Sequence, residues 1–293
     1  MGKFRSNGRD RAKLDDWFGS PALDQLEELT FYDGHMRSLP TSVLRLAPTL
    51  HVAKFRNCRP PLNDVPALIL PRLKHLELVP VCLSNNDMER LLCGCTALEY
   101  LRLQALNGLS TFHITSMTLR TIYVCCWFGR KTSQDVCHGM VNEDTPALER
   151  LLVLDQVGPT RINVISVPKL TVLSYSSNQY SELVIGSLAV QKMILTSLAA
   201  KLRIVKVLAL ESIGPNLEQV VTFLRCFSCL EKLYIEVLKN TGIACQNLVD
   251  IQGQYKIWSS KEHEKDSLVH LAEAIIDPYY RDMKDSCNND KRA

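Results

Sequence analysis

The chain has 293 residues, 46% of them apolar and 22% charged, with a formal net charge of +3. These values lie near globular averages, which excludes a wholly disordered chain, and so small a charge gives no reason to expect nucleic acid. No apolar run approaches the roughly 18 residues that cross a bilayer as a helix, so a membrane is not an expected partner either.

The first 13 residues carry Lys3, Arg5, Arg9, Arg11 and Lys13 against Asp10 and read as a basic, flexible, solvated arm. In the next segment Leu14, Trp17 and Phe18 fall at i, i+3 and i+4, the spacing of one helix face, and Gly19, Ser20 and Pro21 stop it. Its expected role is to cover the exposed end of the first repeat.

From Leu23 to about Leu238 an L-x-x-L-x-L frame returns about every 23 residues. It appears at Leu26, Leu29 and Phe31; at Leu50, Ala53, Phe55 and Cys58; at Leu73, Leu76 and Leu78; and at Leu98, Leu101 and Leu103. It continues at Leu119, Ile122 and Val124, at Leu148, Leu151 and Val153, and at Leu170, Leu173, Tyr175 and Asn178. A strained copy at Val190, Met193 and Leu195 precedes clearer ones at Val205, Leu208, Leu210 and Ile213 and at Leu230, Leu233 and Ile235. The widest gap, between Leu119 and Leu148, holds Gly129, Arg130, Lys131, Ser133, Gln134 and Asp135 and is expected to loop out.

One strand and turn of this length cannot bury its apolar side alone, whereas stacked neighbours share a continuous core. The expected fold is therefore an α/β leucine-rich-repeat solenoid, a curved parallel sheet with a helical or irregular convex side. Cys58 and Asn178 occupy the slot where a side chain can satisfy backbone groups in the turn after the strand. The expected organisation is an arm over 1–13, the capped repeats over 14–238, and a closing segment over 239–293. In that last segment Leu268, Leu271, Ala272, Ile275 and Ile276 mark an amphipathic helix begun by Ser267 and stopped by Pro278, with a polar tail behind it.

Eleven cysteines without an apolar leader point to a reducing compartment, cytoplasmic or nuclear. Cys226 and Cys229 form a C-x-x-C, but no second pair follows at zinc-site spacing, and both read as packing residues. No phosphate loop and no nucleophile elbow is present. No enzyme, metal or cofactor is expected.

What remains is a surface. Because the frame's leucines point inward, the residue between the last two points outward onto the concave sheet. That column reads Thr30, Lys54, Glu77, Arg102, Tyr123, Leu152, Ser174, Ile194, Ala209 and Tyr234, flanked by His51, Lys74, His75, Tyr100, Arg120, Arg150 and Lys232. Tyrosine and arginine favour binding anchors, so the candidate partner-binding residues are Lys54, Glu77, Tyr100, Arg102, Tyr123, Arg150 and Tyr234, with Arg102, Tyr100 and Tyr123 foremost.

The phrases SPALDQLEELTF, LPTSVLRLAPTLHVAKFRNC, CTALEYLRL, VPKLTVLSY, VQKMI and VKVLALESIGPNLEQVVTFLRCFSCLEKLYIE, spread over about residues 15 to 238, carry a further signal. The chain resembles the repeat region of the plant F-box and leucine-rich-repeat proteins expanded in grasses. The resemblance implies a substrate-recognition subunit of a ubiquitin ligase built on Skp1, cullin and an F-box, in which the repeats hold the target. An F-box is not expected in this chain: Leu39, Pro40, Val43 and Leu44 echo the start of one, but Pro48 ends any helix there. A Skp1-like adaptor is thus a partner only if an F-box lies upstream of this sequence. The leading expectation is a noncatalytic module that binds a protein, including an F-box-less form that holds targets without delivering them. The alternative is a surface that responds to a small molecule.

Overall fold

The computed structural model describes residues 8–33, 38–61, 69–104, 109, 111–125, 139–154, 161–177, 182–191, 194–197, 202–213 and 223–238. The expected loop at 129–135, Asn178, Met193 and the closing segment after Leu238 lie outside them.

Helix α1 spans Gly8–Gly19, so it takes in Arg9, Arg11 and Lys13, which composition alone assigned to the arm. Its Phe18 is buried and sits 6.1 Å from Phe31 of the first repeat, whereas Trp17 is 52% exposed. Arg45 locks this end, donating to the carbonyl oxygens of Phe18 at 2.6 Å and Ser20 at 2.8 Å and pairing with Asp24.

The strands follow in chain order as β1 (Glu28–Tyr32), β2 (Val52–Cys58), β3 (His75–Val81), β4 (Tyr100–Gln104), β5 (Thr111–Thr115), β6 (Thr121–Cys125), β7 (Gly139–Asp144) and β8 (Arg150–Leu154). Then come β9 (Arg161–Val164), β10 (Val172–Ser177), β11 (Glu182–Ile185), β12 (Leu188–Gln191), β13 (Ile194–Ser197), β14 (Val207–Ile213) and β15 (Lys232–Leu238). Among the described residues, nine of them form one sheet in the order β1-β2-β3-β4-β6-β8-β10-β14-β15. Every neighbouring pair in it is parallel.

The frame sets the register. Leu29, Ala53, Leu76, Leu101, Ile122, Leu151, Leu173, Leu208 and Leu233 stand side by side. From Leu76 to Leu208 these side chains are completely buried. One step before each strand a single carbonyl accepts two N–H groups from the next repeat. Glu27 serves His51 and Val52, His51 serves Lys74 and His75, Lys74 serves Glu99 and Tyr100, and the pattern reaches Lys206, which serves Glu231 and Lys232. A translational repeat of sequence thus becomes a translational repeat of backbone pairing, which leaves few polar groups orphaned.

The convex side is helical over the first turns, as expected. A 3₁₀ segment, Thr41–Leu46, follows the first strand, and helix α2 spans Asn85–Gly94. Ser84 starts α2 with a capping box: its hydroxyl accepts the Asp87 N–H at 3.1 Å while Asp87 accepts the Ser84 N–H at 3.3 Å. From β5 to β13 the described return segments are strands, forming a second sheet in the order β13-β12-β11-β9-β7-β5. The reason is a change of period. Phe112 and Ile114, Ile162 and Val164, and Leu183 and Ile185 are buried two residues apart, while Thr111, His113 and Thr115 face away from the core. The core lies between the two sheets.

One expectation is corrected. Val190 and Leu195 belong to β12 and β13, which pair antiparallel in the convex sheet, so Ile194 is not part of the concave column. The long repeat between Leu170 and Val205 has room for a hairpin, and Gly186, with φ +58°, makes its turn. Cys58 is fully buried, its thiol pushed up to about 12 by burial and then by the Asp33 charge. Its neighbour Asn57, with φ +52°, satisfies the preceding repeat's turn: Nδ2 donates to the Asp33 carbonyl at 2.5 Å.

Candidate functional site on the concave sheet

The inner column of the sheet is Thr30, Lys54, Glu77, Arg102, Tyr123, Leu152, Ser174, Ala209 and Tyr234, each opposite the next. Alternation along the strands adds two parallel columns. One runs from Glu28 through Val52, His75, Tyr100, Thr121 and Arg150, and the other includes Tyr32, Arg56 and Val79 followed by Gln104 and Cys125.

Glu77 is the centre of the N-terminal half. Its Oε1 meets His75 Nε2 at 2.8 Å and Lys54 Nζ at 3.1 Å, and its Oε2 meets Arg56 Nη2 at 3.3 Å and Arg102 Nη1 at 3.8 Å. Burial pushes the carboxyl pKa up, but the hydrogen bonds from His75 and Lys54, with the charges of Lys54 and Arg102, outweigh it and hold the group down to about 2. Its charge is therefore permanent at neutral pH.

Arg102 is as buried as Glu77. It donates from Nη2 to Gln104 Oε1 at 3.1 Å, and its guanidinium carbon lies 4.9 Å from the centre of the Tyr123 ring. His75 stacks on Tyr100 with ring centres 4.1 Å apart and planes 10° from parallel. The Tyr100 hydroxyl pKa is raised, chiefly by burial. The strands, about 4.8 Å apart, bring Lys54, Arg56, His75, Glu77 and Arg102 from three consecutive strands into one polar floor. Lys54, Arg56 and His75, each about a third exposed, form its solvent-facing rim.

The candidates Lys54, Glu77, Tyr100, Arg102 and Tyr123 thus gather in one cluster. Of the three foremost anchors by residue type, Arg102 and Tyr123 are buried in it and Tyr100 is half-buried. Arg150 lies exposed on β8, and Tyr234, on β15, has its hydroxyl buried without a hydrogen-bond partner among the described residues. Burial also raises the Tyr234 pKa. Of the flanking residues, Lys74 and Arg120 pair along the strand rim, with Glu99 at 3.2 Å and Glu149 at 2.7 Å, and Lys206 repeats the arrangement with Glu231 at 2.9 Å. Sequence reasoning passed over Arg56 and Gln104. Each lies two residues past a column member, and extending the alternation by one step finds both.

Beyond Tyr123 the face changes character. Val172, Ser174, Val207 and Ala209 are apolar or small, so β10 and β14 form a low shelf between Leu152 and Tyr234. The whole face combines a preorganised ionic cluster with a shallow apolar step. It offers side chains for contact. Among the described residues no group of three His, Cys, Asp or Glu side chains is placed to hold a metal ion.

The family model described as "FBD-associated F-box protein At5g56370, LRR repeats" matches residues 14–235. No curated protein and no solved structure matches the chain.

Proposed function

The chain belongs to this family of leucine-rich repeats from FBD-associated F-box proteins, and on that premise we propose that it is the target-recognition part of an F-box-type ubiquitin-ligase receptor. It acts without catalysis, in the cytoplasm or nucleus. Its concave sheet holds a protein target. The observation that carries this reading is the unbroken inner column, which brings side chains from nine strands onto one face in one register. Delivery of the target requires an F-box in the same polypeptide, so the sequence in hand, offered alone, does not bind a Skp1-like adaptor. A stoichiometric complex of the two purified components would refute that statement.

The test of the surface is a pair of bulky substitutions. Ala209→Trp fills the concave shelf, while His113→Trp enlarges a side chain on the convex sheet. Affinity capture with the folded proteins is expected to lose the target with the first and keep it with the second. Equal capture by both would move the binding site off the concave face.

A further inference from the structure

We propose that the open edge of β1 takes up one more strand, contributed by a protein partner as an extended antiparallel segment with apolar residues at alternate positions and a basic end. Position in the sheet is the first ground. β1 ends the order of nine strands, and among the described residues β2 alone pairs with it. The Glu27 carbonyl accepts the Val52 N–H at 3.1 Å and the Asp33 N–H donates to the Arg56 carbonyl at 3.1 Å, so positions 27, 29, 31 and 33 turn their backbone groups toward β2. Glu28, Thr30 and Tyr32 turn theirs outward. Among the described residues these outward N–H and C=O groups make no hydrogen bond. All three residues are exposed, Tyr32 to 69%. Helix α1 closes the core at this end through Phe18 but leaves the edge of the strand open. Nor does β1 hold a proline, a lysine or a bulge, the usual devices that blunt an edge.

The side chains define the occupant. Leu29 and Phe31 point into the core and are only partly covered, so apolar residues of an added strand would extend that core. At the start of the strand Glu27 and Glu28 are exposed acids without an ion pair among the described residues. The other charges described at this end do not offset them. Asp24 pairs with Arg45, and Lys54, one strand in, is held by Glu77. His51 lies beside Glu27 in the rim without pairing to it, and the described charged side chains of α1 are Asp15 and Asp16 against Lys13. Arg56 and Arg59 stand behind the far end of the strand, Arg56 opposite Tyr32. A lysine or arginine across from Glu28 therefore meets an excess of negative charge. A second copy of the chain fits poorly: paired antiparallel about Thr30, each would set its Glu27 opposite the other's Asp33. Antiparallel pairing is the more stable per residue, and in that direction the residues across from Phe31 and Leu29 come before the one across from Glu28. The basic residue thus ends the segment.

The test titrates the full chain against a fluorescein-labelled peptide of serine, threonine, valine, threonine, valine, lysine and lysine, in that order. Fluorescence anisotropy is expected to show saturable binding that weakens with salt and falls about tenfold when Glu27→Gln and Glu28→Gln are combined. Glu89→Gln, exposed on α2, is expected to leave it unchanged. Thr30→Pro separates strand addition from charge alone, because it removes an N–H that β2 does not use. It is expected to abolish binding while the urea midpoint stays close to the parent's. Should that variant melt early, a peptide N-methylated at the amides that face β1 reads the same contact from the other side and is expected not to bind. The inference is overturned by no saturable binding, by equal binding of a peptide with aspartates in place of the lysines, or by unchanged binding after either backbone block. A dimer of the chain in sedimentation that Thr30→Pro dissolves would also overturn it, by giving the edge to a second copy. The concave-face reading stands apart from these outcomes, and Ala209→Trp is expected to leave peptide binding intact.

Discussion

Glu77 is a buried acid in a sheet whose inward positions are leucines, and its cost is met by neighbours from three strands. Removing its charge leaves Lys54, Arg56 and Arg102 close together with their shared counter-ion gone. Glu77→Gln is expected to lower stability in urea unfolding at neutral pH by roughly 3 kcal/mol. The pH dependence has a definite sign. The folded group titrates near 2 against an ordinary value of 4.5, so the unfolded chain binds the proton first as pH falls. The stabilisation is complete above 4.5 and is lost on the way down to about 2. The gap between parent and Glu77→Gln, measured by urea unfolding across that range, should therefore narrow with acid. A gap that stays constant would mean that the charge is not what stabilises.

At the level of elements, the convex sheet depends on close backbone approach. Gly139 begins β7 opposite Arg161, and a Cβ there would lie 2.8 Å from the Arg161 carbonyl oxygen. That oxygen is backbone and yields little, and the Thr111 side chain lies 3.7 Å away. Gly139→Ala is expected to cost about 1 to 3 kcal/mol by thermal or urea unfolding, more than Gly19→Ala at the exposed end of α1, where nothing lies within 4 Å. The same element explains what periodicity could reveal. The concave strands were legible because each obeys one frame. The convex strands were not, because their shorter alternation lies between copies of that frame, at positions that the L-x-x-L-x-L pattern does not cover.

Over the whole molecule, stability passes between nearest neighbours, so position in the stack sets the cost of a cavity. Leu101 is completely buried with repeats on both sides, while Leu29, in the first strand, is only partly covered. Leu101→Ala is expected to cost about 2 to 5 kcal/mol and Leu29→Ala about 1 kcal/mol, a difference that denaturant unfolding of the two variants checks directly. Equal losses would contradict a stack that transmits stability locally.

The amino-acid order alone determined the solenoid, its parallel sheet and the membership of the inner column from Thr30 to Tyr234, with Ile194 the exception. It could do so because a repeating frame carries its own register: whatever aligns two leucines aligns everything between them. It did not determine which members of that column meet solvent. Arg102 and Tyr123 have the chemistry of open anchors, and the packing of Glu77, Gln104 and their neighbours buries them. Exposure depends on side chains one strand away, about 23 residues distant in sequence, and on the curvature that presses them together. Only the assembled sheet decides that, as only the two-sheet core decides that Ile194 belongs on the far side.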